Sequence, residues 1–129
     1  MIQGFEDITG HLSDEEKSLI HLVIKGLNAH KGEDRAIKTE LICFKLCNKY
    51  KVKISPPRLR KIVNFIRSNS ILPVVGTSKG YYVADNKEAL KKQIDSLTER
   101  MDAIQAARDG LQTIWDNMNL DDRQLTLDI

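Results

Sequence analysis

The sequence predicts a mainly α-helical chain with one small β-hairpin, an α+β fold, followed by a long C-terminal coiled-coil helix. Three observations predict it. Capped runs with apolar residues at helical spacing recur between Ser13 and Asn69. Two short β-rich runs then flank Gly76-Thr77-Ser78-Lys79-Gly80. From Leu90 onward, apolar residues fall in alternating steps of four and three.

Ser13-Asp14-Glu15-Glu16 is a capping box, in which the Ser13 hydroxyl accepts from the Glu16 amide and the Glu16 carboxylate reaches back. The acidic first turn suits the positive end of a helix. Leu19, Ile20, Val23, Ile24 and Leu27 extend that helix to about Ala29. A polar connection follows, and Ala36-Ile37-Lys38 reads as a minimal strand. Thr39 is positioned to cap a second helix with Ile42, Cys43, Leu46, Cys47 and Tyr50 on its apolar face, broken by 51–54. Ser55-Pro56, a serine cap before a proline at the first helical position, starts a third helix. That helix buries Leu59, Ile62, Val63 and Ile66 and stops near Asn69.

Ile71 to Val75 and Tyr81 to Ala84 read as the strands of a hairpin with a five-residue basic tip. Pro73 suits an edge strand, and of Tyr81 and Tyr82 one packs inward while the other flanks the tip. From about Asn86 to Asn117 the chain reads as one helix, roughly 48 Å long at 1.5 Å per residue. Its seam is Leu90, Ile94, Leu97, Met101, Ile104, Arg108, Leu111, Trp115 and Met118, with Arg108 where an apolar residue is expected. So small a domain cannot bury such a stripe, which predicts pairing with the same helix of a second chain. A helix folded back on its own domain is the competing reading. Gly110 weakens the helix by about 1 kcal/mol relative to alanine.

Charge is distributed unevenly. Residues 1–30 carry two Lys/Arg against five Asp/Glu, residues 31–84 carry twelve against three, and residues 85–129 carry six against ten. The central block is therefore at +9 within a chain of net charge +2. That is the footprint of a surface that meets nucleic acid, against the plainer reading of a solvated basic face. No apolar run approaches the roughly 20 residues of a bilayer span, and the start has no signal-peptide pattern. With two cysteines, Cys43 and Cys47, a disulfide-stapled secreted domain is not expected. The expected compartment is the cytoplasm.

The order helix, short strand, helix, turn, helix, hairpin over residues 13–84 resembles the winged helix-turn-helix superfamily. Many phage and mobile-element regulators and bacterial transcription factors share that order. The resemblance implies that the third helix enters the major groove and presents outward residues to base edges. In this chain those are Pro57, Arg58, Arg60, Lys61, Asn64 and Ser68. Arg58, Lys61 and Asn64 suit base contact, and Arg60 and Arg67 suit phosphates. The resemblance also makes Thr77, Ser78 and Lys79 the expected wing, which follows the DNA backbone or an adjacent minor groove. The chain thus divides into an N-terminal arm (1–12), a winged helix-turn-helix domain (13–85), a dimerisation helix (86–118) and an acidic tail (119–129).

In the tail, Gln124-Leu125-Thr126-Leu127-Asp128-Ile129 resembles the peptide by which bacterial polymerases and repair proteins bind the replicative sliding clamp. The resemblance implies that Gln124 hydrogen-bonds at a pocket rim while Leu127 and Ile129 fill apolar subsites, with Leu125 in the same clamp-binding peptide. Ile129 stands where leucine or phenylalanine is more usual. The alternative is a terminal strand packed on the protein itself.

No catalytic motif, phosphate loop or metal constellation emerges, so no enzyme activity, cofactor or metal is expected. Cys43 and Cys47 are one helical turn apart and read as core rather than zinc ligands. His21 and His30 are badly spaced for a shared metal. The expectation is a dimeric duplex-DNA-binding protein of phage or mobile-element type, associated with replication through the clamp peptide. A winged-helix repressor is the alternative, and an adaptor that binds only protein is a second.

Overall fold

A computed structural model describes residues 11–118. In chain order these form α1 (Asp14–Asn28), a 3-10 turn (Glu33–Arg35), α2 (Thr39–Tyr50), α3 (Pro56–Ser68), β1 (Val74–Thr77), β2 (Gly80–Val83) and α4 (Lys87–Met118). The described residues are mostly helical, with one antiparallel two-stranded hairpin. None of their helices is long and apolar enough to cross a membrane. The chain divides into two units, Met1–Lys91 and Lys92–Ile129.

In the first unit, local chemistry sets the helix ends. The Glu16 amide donates to the Ser13 hydroxyl at 3.1 Å, and the Ser13 amide donates to the Glu16 carboxylate at 2.8 Å. Ser55 caps α3 through the Arg58 amide, with Pro56 in the first turn. α3 ends in a Schellman arrangement in which Ser70 adopts φ 55° and the Ile71 amide reaches the Ile66 carbonyl at 3.0 Å. α2 departs from expectation at its start. Thr39 is its first helical residue and Lys38 its cap, without a side-chain capping bond. The cause is tertiary: Ile37 exchanges two backbone hydrogen bonds with Tyr81, at 2.9 and 2.8 Å, so the chain turns into the helix one residue earlier.

The hairpin is also tighter than expected. Val74 pairs with Val83 and Thr77 with Gly80, so the strands run into the glycine-containing segment and the tip is only Ser78 and Lys79. Gly80 makes this possible. Its φ is +120°, and a Cβ there would lie 2.2 Å from the Ile37 carbonyl oxygen. Pro73 precedes β1, and its carbonyl accepts from the Ala84 amide.

α1 packs on α2, α3 and β2, and α3 packs on α2 and β1. At the centre Val23, Leu27, Leu59, Ile62 and Ile66 have no exposed surface. The 3.6-residue spacing of the apolar positions places them on facing stripes. Of the two hairpin tyrosines, Tyr81 packs half-buried against the core, while Tyr82, on the opposite face of β2, is buried as well.

In the second unit, Lys92 to Met118 is continuous helix. α4 itself begins within the first unit, where Asn86 accepts from the Ala89 amide at 2.8 Å. Along α4 the seam residues Met101 and Leu111 are each 68% exposed and Trp115 is 60% exposed. Ile114, which falls outside the four-three steps, is exposed beside them.

Candidate nucleic-acid interface

α3 has no acidic residue in its first turn. Its start therefore combines the positive end of the helix dipole with the exposed side chains of Arg58 and Arg60. Pro57, directly before them, is half-buried. Arg58 stands 3.6 Å from Glu15 of α1, in a pair whose side chains are 47% and 66% exposed. A pair so exposed is worth little, and a phosphate oxygen can replace Glu15 at small cost. Arg58 and Lys53 also border an open groove walled by Cys43, Phe44 and Cys47.

Two of the sequence-predicted cations are committed elsewhere. The Lys61 ammonium donates to the Glu16 carboxylate at 2.9 Å, with Glu16 buried and the lysine side chain 19% exposed. Burial opposes ionisation of Glu16. The Ser13 hydrogen bonds and the bond and charge of Lys61 outweigh it, and hold the carboxyl below its ordinary range. Lys61 thus joins α3 to α1. Arg67 donates through Nε to the Val74 carbonyl at 2.9 Å, and its guanidinium lies 5.8 Å from the Tyr81 ring. It joins α3 to the hairpin. Asn64, half-buried on α3, also interacts within the structure.

Ser78 and Lys79 at the hairpin tip are exposed, as is Thr77 at the end of β1. The Thr77 hydroxyl accepts from the Lys79 amide at 3.2 Å and shapes the turn. Lys79 stands 3.8 Å from Glu33, again between exposed groups. Lys38, which the sequence reading did not single out, donates its ammonium to the Ser78 carbonyl. This exposed cation at the start of α2 ties that helix to the tip. Its signal in the sequence was only its membership of the basic block.

Cys43 and Cys47 are free and half-buried. Burial, with the Glu40 charge, pushes the Cys43 thiol above its ordinary pKa. Among the described residues no group of three or more His, Cys, Asp or Glu could hold a metal ion. The clamp-type peptide with Gln124, Leu125, Leu127 and Ile129 lies outside the described residues. No protein-family model, curated protein or solved structure matches the chain.

Proposed function

We propose that the chain is a winged helix-turn-helix protein of phage or mobile-element type that binds duplex DNA as a homodimer. The observation that carries this reading is the start of α3, where Arg58 and Arg60 stand exposed at a helix N-terminus with no acid in its first turn. The element order supports it: helix, Ile37 bridge, helix, helix, hairpin. α3 is the recognition helix, with Arg58 and Asn64 toward base edges and Arg60 toward phosphate. Ser78 and Lys79, with Thr77 behind them, form the wing on the backbone. Lys61 and Arg67 hold α3 against α1 and the hairpin, and act on DNA only through that placement.

Titrating isotope-labelled protein with a short duplex tests the reading. The expected backbone shifts concentrate at Pro57–Asn64 and at Ser78 and Lys79. An unshifted spectrum at low salt overturns the reading and favours the protein-binding adaptor.

A role in replication rests on the resemblance of Gln124–Ile129 to clamp-binding peptides. Retention of the protein on an immobilised bacterial sliding clamp, lost in Gln124→Ala, supports that role. Equal retention of both forms, or of neither, removes it and leaves the repressor reading.

A further inference from the structure

The exposed stripe of α4 specifies the direction of its partner as well as its existence. Within Lys92–Met118, Ile94 and Ile104 are nearly half exposed, and Met101, Leu111 and Trp115 are more so. The four-three steps sort the stripe into two columns. One holds Ile94, Met101, Arg108 and Trp115; the other holds Leu90, Leu97, Ile104, Leu111 and Met118.

A parallel pair in register sets each column against itself. Arg108 then faces Arg108, and Trp115 faces Trp115, inside the seam. The flanking positions offer the two guanidiniums no carboxylate. They are Lys91, Thr98, Gln105 and Gln112 on one side, and Gln93, Arg100, Ala107 and Ile114 on the other. Among the described residues, Arg108 pairs with Asp109 of its own helix, at 2.9 Å. Two like charges that face each other across the axis without a counter-ion repel even where both guanidiniums reach for water, and two facing indoles overfill a layer.

An antiparallel pair sets one column against the other. When Lys87 lies opposite Met118, the two helices overlap along their whole length. That overlap is also a register in which the columns interdigitate. Leu90 then meets Trp115, and Ile94 meets Leu111. Met101 meets Ile104 on either side of the two-fold axis. Each Arg108 meets Leu97, along which its aliphatic stem lies while the guanidinium reaches water. The start of the helix, where Lys87, Lys91 and Lys92 outweigh Glu88, runs beside the end that carries Asp109 and Asp116. The two helix dipoles oppose each other as well.

We infer that α4 pairs with α4 of a second copy of this chain in an antiparallel coiled coil of full overlap. The inference rests on the homodimer reading above. Glu88, Asp102 and Asp116 occupy equivalent outer positions along the helix. Each is replaced in turn by a spin-labelled cysteine (Glu88→Cys, Asp102→Cys, Asp116→Cys) in the full chain carrying Cys43→Ser and Cys47→Ser. At 1.5 Å rise per residue, antiparallel pairing separates the labels axially by about 44 Å at position 88 and about 40 Å at position 116, but scarcely at 102. Long, short, long is the expected pattern. Three equal short distances overturn the antiparallel direction and leave the dimer standing. Loss of any interchain distance overturns the dimer and the direction together.

A second arrangement keeps both native cysteines. Mixed Leu90→Cys and Trp115→Cys chains, oxidised together, are expected to form a cross-linked heterodimer through the new residues. Crosslinks only between identical variants overturn the proposal.

Discussion

The two units of this chain treat the same kinds of side chain in opposite ways. In the first unit Leu27, Leu59, Ile62 and Ile66 lose all contact with water. Along α4, Leu111, Ile114 and Trp115 keep more than half of their surface. The first unit finishes its core with its own helices, while α4 carries an apolar face that a single copy leaves open. The difference separates what an apolar pattern specifies locally from what it specifies about a partner. A stripe on a short helix between other helices makes a core; the stripe along the 32-residue α4 stays exposed, and the proposal above gives it a second copy as partner.

Ile62→Ala against Trp115→Ala is the sharpest way to break this contrast. Deleting a side chain with no exposed surface costs about 3 kcal/mol through lost burial and the cavity left behind. Chemical denaturation is expected to read that loss at any protein concentration. Trp115→Ala is expected to leave the first unit intact and to abolish the rise of Tm with concentration that a dimer shows. A concentration-independent loss in Trp115→Ala places the tryptophan in a core and contradicts the comparison.

Gly80→Ala probes how the first unit closes on itself. A methyl group has no room beside the Ile37 carbonyl, and the backbone there is left-handed. Relief requires opening the Ile37–Tyr81 bridge, so a loss of roughly 2 kcal/mol is expected, together with hydrogen exchange at the Ile37 and Tyr81 amides.

Next in size are two basic residues on the same helix. Lys61→Met leaves the buried Glu16 carboxylate with only its Ser13 partners, and is expected to cost about 2 kcal/mol. Arg58→Ala is expected to change stability by no more than about 0.5 kcal/mol, because its pair is exposed. The pH dependence follows from Glu16. Its folded pKa lies below the unfolded value, so its contribution is complete above the unfolded value and is lost as pH falls through the folded one. Stability measured downward from about pH 5 is expected to fall less steeply in Glu16→Gln than in the wild type.

The smallest effect is a gain. Ser70 holds φ 55° at the end of α3. Ser70→Gly relieves that conformation and is expected to add about 0.5 kcal/mol, readable as a small rise in denaturation midpoint.

What the sequence made legible were features decided within a few residues. The Ser13–Glu16 box, the Ser55-Pro56 start and the Asn69 end of α3 follow from local capping chemistry, and the structure contains each. Thr39 looked like a cap because the bond that moves the start of α2 comes from Tyr81, far along the chain. Lys61 and Arg67 looked like free cations for the same reason. The partner of Lys61 is 45 residues away, and that of Arg67 is a hairpin carbonyl with no sequence signature. Ile114 escaped because it stands one position off the four-three steps, and only its exposure beside Leu111 and Trp115 reveals it.

In the proposed function the exposed start of α3 meets DNA phosphates and bases while Lys61, on the same helix, serves the fold. Fluorescence anisotropy of a random-sequence duplex, titrated across a salt series, tests it most directly. Wild-type binding is expected to weaken steeply with salt, with a dependence shallower by about two counterions in Arg58→Ala/Arg60→Ala. Lys61→Met, at a temperature where it remains folded, keeps the wild-type slope. Absence of binding at low salt, or a slope that Lys61→Met reduces and the double variant leaves unchanged, contradicts it.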